Sequence, residues 1–594
     1  MSKNQFELLT YTRKPAEMYE HTLANSMHLA YRITGSEFVP LNHNYGVLFA
    51  KAVENENRTL TAKNLTSPFV FKLSTEAYGI IAVRTECDGT PDKLSLGKLL
   101  LFITRDFLQY TEHGLIDLKS DHCIRYAACA YLPQEQQYLL KWCDETNQTY
   151  QAVFADIFEP EIVPVPAQLL KREVIETTIE GAQPANRIAI PTELGEKLLE
   201  RLTVPENTGL NLPKTVAVSS QQELATVKAE YLYNDGTTVS RAVRWNTQEV
   251  DWDKEGTYTI TGEVAQPSYH FPFAIDRADP CVFFWQKYYY YIATNDADGN
   301  NSLSVRKAAT MEQLATAAEY EILNTRMYKH MVQFLWAPEI HLVGEDIYIF
   351  LASSPKGFEQ IRCHAMRLKP GGEIRNKSDW EMPIPMQRRD GEVLCDNGLT
   401  LDMTYFAVRD KSYVAWAQRD MVPNDLGSWI YIAEVDIKKP WRLTSDPVIL
   451  SKPDYSWSNN HVFVEEGPYP LFLGDKLMLT FSGALIDYTY CVGYLMVNLD
   501  ADLLDASSWT KGNFPLLTAF SVSGETGTGH NAFIREENGT TWCTYHARVG
   551  KDGPRSSGFR RVHFHRDGFP VLDLTEDRDI KERYRNLSME IVIK

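Results

Sequence analysis

No two cysteines in this chain stand at Cys-x-x-Cys spacing. The nine are odd in number and scattered from Cys87 to Cys543, which argues against a disulfide framework and a thiolate zinc site. Long apolar runs are lacking as well. No stretch approaches the ~18 residues a bilayer span requires, and Met1-Ser2-Lys3-Asn4-Gln5-Phe6 holds no apolar leader core. On these absences the chain is expected to be cytoplasmic and reduced, with no membrane partner. Positive charge is also short. Lys and Arg number 60 against 78 Asp and Glu, a formal net charge of −18. Such a surface repels nucleic acid and anionic lipid.

What the chain has is aromatic and β-branched sequence in short runs. At 594 residues it is long enough for several domains. After Arg277-Ala278-Asp279-Pro280 come Cys281-Val282-Phe283-Phe284-Trp285 and Tyr288-Tyr289-Tyr290-Tyr291-Ile292, parted only by Gln286-Lys287. That pattern reads as a hairpin. The same grammar returns after Pro338-Glu339, Asp402, Glu466-Gly467-Pro468 and His530-Asn531. The anchors 279, 339, 402, 466 and 530 are thus 60, 63, 64 and 64 residues apart. A fixed period of several short strands is the signature of a β-propeller. The expected fold is all-β, with a five-bladed propeller over 267–594 whose anchors ring one mouth of a central channel.

Residues 1–165 carry weaker relatives of the same unit. Ser67-Pro68-Phe69-Val70-Phe71 followed by Gly79-Ile80-Ile81-Ala82-Val83 has the form of the Asp279 unit, with serine where the acid would be. This region is expected to be an accessory β-domain without catalytic groups, either a decayed partial propeller or a generic sandwich. Residues 166–212, punctuated by prolines and holding a helix candidate at 193–201, are read as a connecting segment. Alternating strands return at 213–266, with a hairpin turn at Asn234-Asp235-Gly236. This stretch resembles the small bacterial immunoglobulin-like domains and is assigned no chemistry.

Two carboxylic acids flanking a cleft are the minimal equipment for glycoside hydrolysis. The one that donates a proton at neutral pH needs burial or a neighbouring negative charge to keep it. Asp279, Asp402 and Glu466 are three acids that a propeller could bring together. Arg277-Ala278-Asp279-Pro280, Trp336-Ala337-Pro338-Glu339-Ile340-His341, Leu401-Asp402, Glu466-Gly467-Pro468 and Gly527-Thr528-Gly529-His530-Asn531 resemble the motifs of glycoside hydrolase family 43, in order and in spacing. The resemblance implies a five-bladed propeller that cleaves arabinofuranosides or xylosides with inversion. It implies Asp279 as general base, Glu466 as general acid, and Asp402 as the residue that orients and tunes the acid. Tyr413-Val414-Ala415-Trp416-Ala417-Gln418 and Asp500-Ala501-Asp502-Leu503-Leu504-Asp505 point to the α-L-arabinofuranosidase branch, exo-acting on small oligosaccharides. β-Xylosidase, galactofuranosidase and a non-catalytic carbohydrate-binding propeller are the alternatives. Thr528 and Glu465 depart from the family pattern.

Around the acids, Trp336 is expected to stack on a sugar or pack between blades. His546 and Arg548 share one strand face and are expected to contact substrate or a site carboxylate, and Glu339 to be structural. By resemblance His530 faces a hydrated metal ion, a structural calcium in the channel, although calcium prefers oxygen ligands. No cofactor is expected for the chemistry, and the oligomeric state is left open. Because an unassisted serine is a weak base, Ser67→Ala is expected to keep turnover within about twofold of the parent, measured by steady-state kinetics on an aryl glycoside.

Overall fold

The computed structural model describes residues 6–267 and 269–594. Met1–Gln5, where the absence of a leader was read, lie outside them. Strands dominate throughout, and no helix among the described residues is long and apolar enough to cross a membrane. All nine cysteines are unpaired thiols.

From Arg277 onward, five antiparallel sheets follow one another in chain order. Their first strands are Arg277–Trp285, Gln333–Val343, Gly398–Val408, Glu465–Leu473 and Glu525–Arg535. The opening hairpin shows why the sequence folds this way. Trp285 pairs with Tyr288 across Gln286 and Lys287, both at positive φ (49° and 68°). That is the turn whose twist matches the flanking strands. Each first strand touches the first strand of the next sheet, and the first of the five touches the fifth. Apolar cores fill the spaces between successive sheets. Ile292, Ile340 and Ile349 lie between the first two, Phe350, Trp416 and Trp429 between the second and third. Val282, Tyr291, Trp542 and Phe559 join the fifth to the first. Just ahead of the first sheet, the Phe273 N–H donates to the Ser557 carbonyl at 2.7 Å, and the Ser557 N–H to that of Ala274 at 2.8 Å.

One irregularity recurs in every first strand. Pairing shifts register between Ala278 and Cys281, Trp336 and Glu339, Leu401 and Thr404, Glu466 and Tyr469, and Gly529 and Ala532. In each case two residues oppose one, a β-bulge whose leading residue is left-handed. The leading residues are Asp279 (φ 51°), Ala337 (44°), Asp402 (56°), Gly467 (57°) and His530 (46°). The backbone repeat therefore runs through Ala337 and Gly467, not through Glu339 and Glu466 as the acids suggested. Side-chain chemistry drew the sequence reading one or two residues off register. Proline occupies the second bulge position at Pro280, Pro338 and Pro468, where the ladder asks for no N–H. Ser67-Pro68 repeats the device, with Ser67 at φ 50° and a register shift between Thr66 and Phe69.

The N-terminal region holds three four-stranded sheets. In one of them Ala182–Ile190 pairs with Phe6–Arg13, so the stretch read as a connector supplies a strand. It also supplies the helix Thr192–Leu202. Tyr19, Leu23, Tyr45 and Phe49 enter the core shared by the third and fourth sheets of the C-terminal half. The immunoglobulin-like sheet has six strands and takes Asn586–Ile593 from the C-terminus, between Gly256–Val264 and Thr215–Val218. The sequence reading had left that strand in 267–594. Its alternation, with Leu587, Met589, Ile591 and Ile593 buried, gives it a face to bury wherever a sheet edge is open.

Asp579 joins this sheet to the rest. Its fully buried carboxylate accepts hydrogen bonds from Arg241, Tyr233 and Tyr269 at 2.7 Å each, from Gln266 at 2.7 Å, and from Arg561 Nε at 2.9 Å. Burial pushes the carboxyl up, but Arg241 and Arg561 outweigh it and hold it well below the usual range. Removing one member of a buried ion pair strands the other charge. Asp579→Ala is expected to cost about 3–5 kcal/mol in denaturant unfolding. Because the folded pKa is depressed, the contribution is full above the unfolded carboxylate range, about pH 4, and is lost below it.

Candidate active site

The bulges turn Asp279, Asp402 and His530 toward one another, and Glu466 stands one residue ahead of the fourth bulge. All four are buried. His530 Nδ1 lies 3.3 Å from Asp279 Oδ1 and 3.9 Å from Asp402 Oδ2. Asp402, Glu466 and His530 each present one ligating atom within 4.8 Å of the others. The fourth bulge is Gly467 for a reason. At φ 57° a side chain would be strained, and its Cβ would stand 3.1 Å from the His530 ring. The Gly467 N–H donates to Asp402 Oδ2 at 3.1 Å, which ties the third acid to the strand of Glu466.

The three acids sit in different electrostatic surroundings. Burial would raise the Asp279 carboxyl, but the cations of His530 and Arg555 outweigh it and hold it well below its ordinary value. The Thr294 hydroxyl donates to Asp279 Oδ2 at 2.6 Å, and Arg555 Nη1 lies 3.6 Å from Oδ1. Asp402 and Glu466 go the other way. Burial pushes both up, and the negative charge of Asp279 adds to it, against the pull of His530. The Tyr490 hydroxyl donates to Glu466 Oε1 at 2.7 Å and offsets part of the rise. Burial lowers the imidazolium of His530, yet Asp279, Asp402 and Glu466 together bring it above the usual histidine value. His546 is driven by burial down to about 4. Its Nδ1 accepts the Asp279 N–H at 3.3 Å and lies 3.1 Å from Asp279 Oδ1. One site thus holds a carboxyl pulled toward the ionised form, two pushed toward the protonated form, and an imidazole pushed toward its cationic form.

The remaining residues singled out in the sequence are placed as follows. Trp336 is part-buried, donates through Nε1 to Asn300 Oδ1 at 2.8 Å and lies against Phe334. Glu339 is buried 2.6 Å from His341 Nε2. Arg548 pairs with no site carboxylate. It donates to the carbonyls of Gly553 (2.6 Å) and Ile486 (3.1 Å). Glu465 points to Lys511 at 2.6 Å and is pushed by burial to about 7. Ser67 donates to the Arg125 carbonyl at 3.0 Å, within the N-terminal region.

Sequence reasoning missed Thr294, Tyr490 and Arg555. Arg555 is gripped through two nitrogens by Asp296, both at 2.8 Å, a pairing across 259 positions with no local signature. Tyr490 is one of 31 tyrosines, and nothing near it in sequence marks it. As for metals, calcium takes six to eight oxygens. Here Asp402 and Glu466 each already accept a hydrogen bond, and His530 offers nitrogen in place of oxygen. The side chains alone do not make a calcium site, and water would have to supply most of the ligands.

The model of Glycosyl hydrolases family 43 matches residues 270–570, and that of the Bacterial Ig-like domain (group 4) matches 225–267. A protein of Streptomyces avermitilis named extracellular exo-alpha-(1->5)-L-arabinofuranosidase is 32% identical over 329 residues, 53% of this chain and 66% of its own length. A protein of the same name from Streptomyces chartreusis is 31% identical over 289 residues, 48% of this chain and 84% of its own. The solved alpha-L-arabinofuranosidase of Lactobacillus brevis is 30% identical, at a TM-score of 0.47, over 51% of this chain and 96% of its own. Two relatives named extracellular overturn the cytoplasmic placement, which had rested on features the chain lacks. The family model covers half the chain and spans all five sheets and every acid of the site, and the chain belongs to glycosyl hydrolases family 43.

Proposed function

We propose that the protein is an inverting, exo-acting α-L-arabinofuranosidase whose five C-terminal sheets close as a five-bladed propeller. The contact of first with fifth sheet and the Phe273–Ser557 pairing support the closure. The Streptomyces relatives support the sugar. On this reading 267–585 form the catalytic domain, about 207–264 with 586–593 the immunoglobulin-like domain, and the residues before them a non-catalytic accessory region.

The observation that carries the mechanism is the split among three buried carboxyls. A base and an acid are needed at one pH, and environments that push two carboxyls apart supply them. Asp279, held ionised, takes a proton from water as the water oxygen bonds to the anomeric carbon. The bond from that carbon to the leaving oxygen breaks, and the oxygen takes the proton of Glu466. Asp402, itself pushed upward, shares a proton with Glu466 and so helps the acid stay protonated. This reading assigns the sugar contact to Trp336 and Arg555, both part-exposed. A binding module would have no use for such a split.

Two measurements test this. NMR of the first-formed sugar is expected to show inverted anomeric configuration; retention, or a trapped glycosyl-enzyme, sinks the base assignment. Glu466→Gln is expected to slow a poorly leaving disaccharide at least about a hundredfold while slowing an activated aryl glycoside far less, because the latter needs little protonation. Equal losses on both would reassign the acid.

The electrostatics are tested separately by NMR titration of the histidine rings. His530 is expected to titrate above the usual 6.5 and His546 near 4, and Asp279→Asn to lower the His530 value. The raised pKa of His530 makes its contribution to stability full below about pH 6.5 and lost as pH climbs through the folded value. A His530 value unmoved by Asp279→Asn contradicts the pairing.

A further inference from the structure

We infer that the N-terminal region is a working part of the active site, with Glu20 as a positioning residue that holds loop 484–490, and through it Tyr490, where the acid requires it. This rests on the assignment of Glu466 as the acid. Loop 484–490 joins the second and third strands of the fourth sheet, Lys476–Gly483 and Cys491–Asn498. It ends at Tyr490, the donor to Glu466.

Glu20 reaches this loop from another part of the chain. Its Oε1 accepts the Tyr488 hydroxyl at 2.5 Å, and its Oε2 lies 3.0 Å from His461 Nε2. The other nitrogen of His461 lies 2.8 Å from Asp487. One imidazole is thus clamped between a carboxylate of the N-terminal region and one of the loop. Together the two carboxylates raise the His461 pKa against the effect of burial, which favours the charged form of the clamp. Glu20 stands at the N-cap of His21–Ala24, yet its side chain caps nothing there; the carboxylate is turned outward to the loop. Its own backbone is well held. The neighbouring Tyr19 is buried, accepts the Gly46 N–H at 3.1 Å and packs edge-on against Phe520 at 5.2 Å.

The loop's first residues are tied by backbone, Ala484 N–H to the Ser458 carbonyl at 3.0 Å and Leu485 N–H to that of Asn460 at 3.1 Å, and Lys551 lies 4.8 Å over the Tyr488 ring, while the side chains of Leu485 and Ile486 are exposed. Arg548 holds the Ile486 carbonyl. The Asp487 carbonyl lies against Gly527, where any Cβ would stand 2.2 Å from it. Gly527 is on the strand that carries His530 three residues later. A tip that lifts away from Gly527 therefore moves relative to both His530 and Glu466. Tyr488, held by Glu20, is two residues from Tyr490, so releasing the first loosens the second. Loss of the Tyr490 hydrogen bond would remove a contact that favours the ionised acid and raise the pKa of Glu466 further.

The test uses the full chain, with Glu20→Ala and the conservative Glu20→Gln, which keeps an acceptor for Tyr488. In Glu20→Ala, hydrogen–deuterium exchange across 484–490 is expected to rise. The kcat on α-1,5-linked arabinobiose is expected to fall about tenfold, with KM little changed. Hydrolysis of 4-nitrophenyl α-L-arabinofuranoside should stay within about twofold, and the alkaline limb of the kcat profile should move up by about half a pH unit. Glu20→Gln should recover part of each change. Unchanged exchange in the loop overturns the inference, whether or not any glycoside is cleaved. So does raised exchange with equal losses on both substrates and an unmoved limb, the pattern of simple loosening. If the parent enzyme cleaves neither substrate, the proposed function fails, and the exchange measurement still decides whether Glu20 holds the loop.

Discussion

The structure depends on one backbone device, the left-handed bulge near the start of each first strand. A non-glycine residue at positive φ costs of order 1–3 kcal/mol, and this chain accepts that cost at Asp279, Ala337, Asp402 and His530. The cost is offset by the apolar cores on either side, which leave the strands no other register. In exchange the bulges bring Asp279, Asp402 and His530 toward one another. Each site group is placed by its own strand. Their mutual distances are then set by the packing of sheets, which is far stiffer than any loop.

Charge balance in the site follows from that placement. Three buried acids this close to one another do not all ionise. The imidazole of His530, pushed toward its charged form, and a guanidinium braced by Asp296 favour the nearest acid, Asp279, and leave the other two pushed upward. His546 does not add a third cation. Burial keeps it neutral, stacked on Tyr490 with ring planes 2° apart, and its nitrogen serves the strained Asp279 N–H. The result is a site whose carboxyls are told apart by their surroundings.

Much of this was legible in the sequence. The period near sixty residues, the hairpins and the acids at 279, 402 and 466 all came from local patterns, and so did Ser67-Pro68 as a lapsed copy of Asp279-Pro280. Register was less legible. Glu339 and Glu466 looked like repeat anchors because they are acids, whereas the backbone repeats at Ala337 and Gly467, which carry no side-chain chemistry to notice. Residues that act through distant pairing stayed hidden. Arg555 acquires its meaning from Asp296, Tyr490 from Glu466, and Asn586–Ile593 from a sheet more than 300 positions earlier. Glu20 was invisible for the same reason. Its partners are 441 and 468 positions away.

The central claim is that a second buried carboxyl, Asp402, keeps the proton on Glu466. The alkaline limb of kcat/KM, recorded on a poorly leaving substrate with Asp402→Asn beside the parent enzyme, tests it most directly. Burial pushes both Asp402 and Glu466 upward, so the pair holds a proton between them; replacing Asp402 by a neutral amide of the same shape removes the second carboxyl against which Glu466 must ionise, and the account predicts a limb moved to lower pH by about one unit. A limb that stays in place, or moves to higher pH, would contradict it.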